Sequence, residues 1–145
     1  MWDNRDRRMW FVRDRIGIKP LYYVQRGDRF NFASEIKALL EDPAQPREMD
    51  ETALFHYLSL MTTPAPMTLF KGIKKLPSGS WLRIEADGTS EVRRWWDVWD
   101  NVQPMTGRSD DDIADEVRAT LETAVRYRKV SDVPVGVFLL SLIHI

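Results

Sequence analysis

The run Val133-Pro134-Val135-Gly136-Val137-Phe138-Leu139 limits what this chain can fold into more than any other stretch. It is apolar without alternation, and it follows Asp110 to Lys129, where apolar residues recur at helical spacing. A strand that is apolar on both faces must be covered on both faces, as in parallel sheets flanked by helices. Before Val98 the rhythm is different: apart from two short helical stretches, brief alternating runs are separated by turn residues, the pattern of antiparallel strands. The chain therefore reads as two architectures in sequence. The first is a mostly antiparallel α+β unit. The second is the opening of a doubly wound α/β domain, whose ligands bind beyond the carboxyl ends of its strands. A Gly-rich turn after such a strand lets backbone N–H groups approach phosphate oxygens. Here the strand runs instead into Leu140-Ser141-Leu142-Ile143-His144-Ile145, which has no glycine and forms no such cradle.

Local signals fill in the first unit. Met1-Trp2-Asp3 and Met9-Trp10-Phe11-Val12-Arg13 flank the polar run Asn4 to Arg8, a hairpin tip. Leu21 to Val24 and Arg29 to Ala33 predict a second hairpin around Gly27-Asp28. Ser34 is placed to cap a short helix from Glu35 to Glu41, stopped by Asp42-Pro43. Asp50 caps another, with Leu54, Tyr57, Leu58 and Met61 as its apolar stripe. A third hairpin runs from Ser80 to Glu85, turns at Asp87-Gly88 and returns from Glu91 to Trp96. Val98 to Arg108 carries little pattern and reads as an interdomain linker, spanning residues 98–108. Ser109 then caps the long helix, with Asp110, Asp111 and Asp112 in its first turn and Ile113, Val117, Leu121 and Val125 on one face.

Composition closes several routes. The formal net charge of −1 gives no field to draw the chain to nucleic acid or to an anionic membrane. No apolar run reaches the ~18 residues of a membrane span and no signal peptide pattern opens the chain, so a cytoplasmic location is expected. There is no cysteine, hence no disulfide, no thiolate metal site and no cysteine nucleophile. The two histidines, His56 and His144, have no partner His or Cys at metal-ligand spacing.

Four segments resemble the glutamine-hydrolysing asparagine synthetases, in the family's order. Arg13-Asp14-Arg15-Ile16-Gly17-Ile18-Lys19-Pro20-Leu21-Tyr22 looks like the strand–turn–strand signature of their glutaminase domain, and Phe32-Ala33-Ser34-Glu35-Ile36-Lys37-Ala38-Leu39 like the strand-to-helix junction after it. Pro64 to Gly79 is similar to a later loop and turn, with Trp95-Trp96-Asp97 as the closing strand. Ser131 to Leu139 is similar to the strand that leads, in that family, into a Ser-Gly-Gly-Leu-Asp-Ser pyrophosphate loop.

The resemblance implies that residues 1–97 are the C-terminal part of an αββα N-terminal-nucleophile glutaminase sandwich. It implies that residues 109–139 are the first helix and strand of an ATP-pyrophosphatase-type synthetase domain. Because the match stops at Leu139, 140–145 are read as a non-native tail in preference to a variant loop of a degenerate, non-catalytic relative, and Met1 is read as an internal residue of a longer chain. The intact enzyme it points to takes glutamine, aspartate and ATP with Mg²⁺, works through β-aspartyl-AMP, and is a candidate homodimer. Leu139 is the one position carried over as a nucleotide contact; no catalytic or metal residue is carried over. The family's catalytic cysteine and glutamine-binding loops lie upstream of the segment that matches Met1, so this chain alone is expected to be inactive and to bind neither ATP nor Mg²⁺ well. Two alternatives stay open: another reaction on the same two domains, such as that of a β-lactam-synthetase-like enzyme, or a non-catalytic interaction module.

Each charged or aromatic cluster also has a structural reading. Asp14 is expected to order the Gly17 turn by accepting N–H bonds and pairing with an arginine, and Lys19 to be a turn residue. Trp2, Trp10, Trp81, Trp95, Trp96 and Trp99, with Arg93 and Arg94 between them, are expected in core and sheet packing rather than stacked on bases. The three aspartates at 110–112 suit a helix N-terminus. If part of the sandwich is missing, the faces bearing Trp10, Phe11 and Phe32 should lie uncovered.

Overall fold

The computed structural model describes residues 1–136, the side chain of Asn101 excepted. The chain divides into two compact units, Met1–Val102 and Gln103–Ile145.

The first unit is built from two antiparallel sheets. In one, the strand order is β1 (Trp2–Asp3), β2 (Arg8–Val12), β6 (Ser80–Ile84) and β7 (Ser90–Arg94); in the other it is β4 (Arg29–Ala33), β3 (Tyr22–Arg26) and β5 (Lys74–Lys75). All three predicted hairpins form. Register follows from which side chains are dry: Phe11 faces Leu82 across β2 and β6, while Tyr23 and Val24 take opposite faces of β3. Phe11, Tyr23, Leu76 and Leu82 form one core cluster, supported by Met9, Leu21, Phe30 and Ile84. Because these residues come from both sheets, that cluster is the sheet–sheet filling. Phe32 meets Phe11 edge-on at 4.6 Å, and Phe30 stacks on Tyr23 at 5.8 Å. Val24, Leu39 and Ile73 form a second cluster on the far face of β3, where α1 (Ile36–Leu39) packs.

Several sequence expectations are corrected here. Phe11 is not uncovered; it is buried between the sheets, and Trp10 is half-buried against Trp81 at 5.1 Å, while Phe32 is 52% exposed as expected. The tryptophans divide: Trp10 and Trp81 pack on the sheet as expected, but Trp2, Trp95 and Trp99 are exposed and none joins the core among the described residues. The reason is register, because Trp10 and Trp81 sit one residue out of step with Phe11 and Leu82. Helix α1 is shorter than predicted and Ser34 does not cap it. Its N-cap is Glu35, which makes no side-chain cap bond and pairs with Lys37 at 2.6 Å instead.

Helix α2 (Glu51–Leu60) is capped by Asp50, which accepts from the Ala53 amide at 2.9 Å as expected. Its buried contact is Ala53, however, not the stripe of Tyr57, Leu58 and Met61, which are exposed. Ala53 lies in the first turn, so the helix touches the unit by its start. Met61 is the C-cap in a left-handed conformation and has left the helical face altogether.

The second unit, among its described residues, is α3 (Asp110–Arg128), preceded in the chain by a 3-10 turn at Trp99–Asn101. Ser109 and Asp112 make a reciprocal capping box, the Ser109 hydroxyl accepting from the Asp112 amide at 3.2 Å. None of its residues is buried. The expected strand from Val133 shows no ladder through Gly136, and the rest of it, Leu139 and residues 140–145 included, lies outside the described residues.

Candidate functional site

The segment Arg13–Leu21, which carries the first resemblance, folds into a hydrogen-bonded knot. The Arg13 guanidinium donates to three backbone carbonyls, those of Lys19 at 2.9 Å, Gly17 at 2.8 Å and Leu76. Asp14 works in the opposite sense. Its carboxylate accepts from the amides of Ile18 at 2.9 Å and Lys19 at 3.3 Å, and its carbonyl from Gly17 and Gly79. Those amide bonds, Ile18 first, hold the Asp14 carboxyl below the usual aspartate range. The Gly17 turn is thus ordered by Asp14 as predicted, but without an arginine partner. Arg13 is committed to carbonyls, and no ion pair of Asp14 occurs among the described residues. Lys19 serves the turn through its backbone.

The same knot binds the later resembling segments. Gly79 donates to Asp14, and its carbonyl accepts from Trp95 at 2.8 Å and Trp96 at 3.1 Å. A side chain at Gly79 would put Cβ 2.3 Å from the Trp96 carbonyl oxygen, and φ there is +57°, so only glycine permits this crossing. The Arg15 guanidinium lies 5.9 Å from the Trp96 ring. Beside them is a cleft of about 270 Å³ lined by Arg15, Ile16, Pro77, Ser78, Trp96 and Asp97. Arg94 pairs with Asp97 at its edge. The chemistry of this ensemble is positional: its charged groups hold backbone, and no nucleophile with an adjacent base stands among them.

On the outer face of the four-stranded sheet, the Arg83 guanidinium lies 5.3 Å from the Trp10 ring and 5.7 Å from the Trp81 ring, which are themselves in edge contact. It pairs with Glu85 at 2.7 Å and Glu91 at 2.9 Å, and Arg8 reaches Glu85 at 2.7 Å. Trp10 and Trp81 thus belong to an arginine–tryptophan–glutamate cluster on the sheet. Asp112 is spent on the α3 cap, His56 stands on α2 beside Phe55, and no group of three His, Cys, Asp or Glu able to hold a metal occurs among the described residues.

Lys75 was not singled out by its sequence. In the short strand β5 (Lys74–Lys75), Lys74 is exposed, whereas Lys75 is half-buried and donates to the Thr63 carbonyl at 2.8 Å. Burial, reinforced by the nearby charge of Arg13, pushes its ammonium below the usual lysine range. The only advance signal was period-two alternation into Leu76, which two residues cannot establish.

Sequence similarity gives the chain its class. Residues 1–96 match the family described as glutamine amidotransferase domain, and the chain belongs to that family. It is 37% identical over 140 residues to the glutamine-hydrolyzing asparagine synthetase 3 of Bacillus subtilis (strain 168), covering 96% of this chain and 22% of that protein. Similarity to a putative glutamine-hydrolyzing asparagine synthetase of Mycobacterium tuberculosis (strain ATCC 25618 / H37Rv) is 37% over 143 residues, covering 96% and 22%. Amidase chry2 of Gibberella zeae is 31% identical over 140 residues, covering 96% and 20%. The chain thus spans about a fifth of the length of the curated relatives it matches.

Proposed function

We propose that the protein carrying this chain is an ATP-dependent amidotransferase that converts aspartate to asparagine with glutamine as nitrogen donor. One observation carries the reading: similarity to glutamine-hydrolyzing asparagine synthetases runs over 96% of the chain, through the sheet unit and the helix alike. In this reading the aspartate β-carboxylate attacks the α-phosphorus of ATP and expels pyrophosphate. Ammonia released from glutamine then attacks the resulting β-aspartyl-AMP, forming the amide and releasing AMP. Residues 1–97 supply the later part of an αββα glutaminase sandwich, and residues 109–139 open the synthetase domain across the 98–108 linker. Leu139 packs near the adenosine of ATP. Mg²⁺ belongs with ATP in the complete site. The described residues of this chain do not fit it, since they offer no carboxylate cluster, and none of its steps is assigned to them. The location is cytoplasmic, and the complete enzyme is a homodimer. No helix among the described residues is long and apolar enough to cross a membrane.

Similarity to a protein named an amidase rather than an asparagine synthetase favours one second reading, another amide reaction built on the same two domains. Incubating the complete protein with amide-¹⁵N glutamine, aspartate and ATP separates them. The proposal expects ¹⁵N-asparagine and AMP in equal amounts. AMP formation only with another carboxylate substrate would favour the second reading, and absence of any AMP would favour a non-catalytic module.

A further inference from the structure

Lys75 stands in a setting that the amidotransferase reading does not use. It shares a sheet face with Tyr22, its cross-strand partner. A cleft of about 270 Å³ opens there, with Tyr22, Ile36, Tyr57, Met61, Phe70 and Lys75 in its lining. The walls come from β3, both short helices and the loop before β5, so the cleft is built by folding rather than by one flexible segment. Thr62, Thr63, Thr68 and Leu69 complete the lining, so apolar and hydroxyl-bearing side chains surround a single cation, a composition suited to a small ligand with one charged end.

The cation itself is under-compensated. Lys75 makes one hydrogen bond, to the neutral Thr63 carbonyl, and no salt bridge among the described residues. Lys37 and Lys71, by contrast, have Glu35 and Glu48. The like charge of Arg13 also acts on Lys75. A partly desolvated ammonium beside another cation is costly unless an anion joins it. The Thr68 hydroxyl does not serve it: that group donates toward the carbonyls of Phe70 and Ile73 and accepts from the Phe70 amide.

We propose that this cleft is a binding site for a small monocarboxylate with an apolar body, its carboxylate paired to the Lys75 ammonium and its body against Tyr57, Met61 and Phe70. Phenylacetate is a suitable probe, and phenylacetamide is its uncharged counterpart of the same shape. Calorimetric titration of the full 145-residue chain should give saturable one-site binding of phenylacetate below about 10 mM, with phenylacetamide at least about tenfold weaker. Lys75→Met should abolish the preference for the acid, and Lys74→Met should leave it intact. A readout on the unmutated chain guards against a misfolded variant: phenylacetate should slow reductive methylation of Lys75 relative to Lys74, with each site followed by peptide mass spectrometry. Equal affinity for acid and amide, no saturable binding in that range, or undiminished labelling of Lys75 would overturn the proposal.

Discussion

Gly79 and Asp14 show how single residues hold this unit together. Gly79 sits where three chain segments cross, with a positive φ and the Trp96 carbonyl in the place of a side chain. Gly88 also has a positive φ, +84°, but nothing lies within 4 Å of a Cβ there. Gly79→Ala should therefore cost about 2–4 kcal/mol, strain and collision together, and Gly88→Ala about 1 kcal/mol, strain alone. Urea melts of the two variants check the difference. Asp14 carries a pH signature. Its native carboxyl titrates below the unfolded value of about 3.9, so its contribution is complete above that value and disappears as pH falls through the lower native one. Asp14→Asn should narrow the stability gap to the unmutated chain as pH drops below about 4, and a gap that stays constant with pH would contradict this role.

Elements were legible to the extent that their signals were local. The hairpins declared themselves through alternation and turn pairs, and Asp50 and Ser109 through cap spacing. What failed depended on tertiary geometry. Alternation showed that Phe11 and Trp10 take opposite faces without saying which face a second sheet would cover, and the tryptophans lost to Phe11, Leu82 and Tyr23. The stripe on α2 had helical spacing, yet the helix is anchored through Ala53, whose small size no periodicity argument weighs. The knot around Arg13 was half visible. The turn and Asp14 followed from composition, but the reach of Arg13 to Leu76 spans residues far apart in sequence. Lys75 was invisible for the same reason. On α3, with no buried residue, the capping box is a large share of what holds the first turn. Ser109→Ala should remove about 1 kcal/mol from that helix, seen as reduced ellipticity at about 222 nm and faster amide exchange in its first turn. Unchanged exchange there would mean that something other than the cap secures it.

At the scale of the molecule, well-packed clusters coexist with large uncovered apolar side chains. Phe32 stands at the β4 edge, and Phe55, Leu58 and Trp99 are 68%, 70% and 78% exposed. Surfaces of this kind associate, so the isolated chain should elute from size exclusion above its monomer mass of 17.0 kDa. A sharp-melting monomer would speak for a self-sufficient module. The central claim is that this chain, whose residues 1–96 match a glutamine amidotransferase domain, does not itself hydrolyse glutamine. With no cysteine anywhere in its sequence, it has no thiolate to attack the glutamine carboxamide. The direct measurement is ammonia release from glutamine by the purified chain. The account predicts none above a buffer blank, and glutamine-dependent release that scales with protein concentration would contradict it.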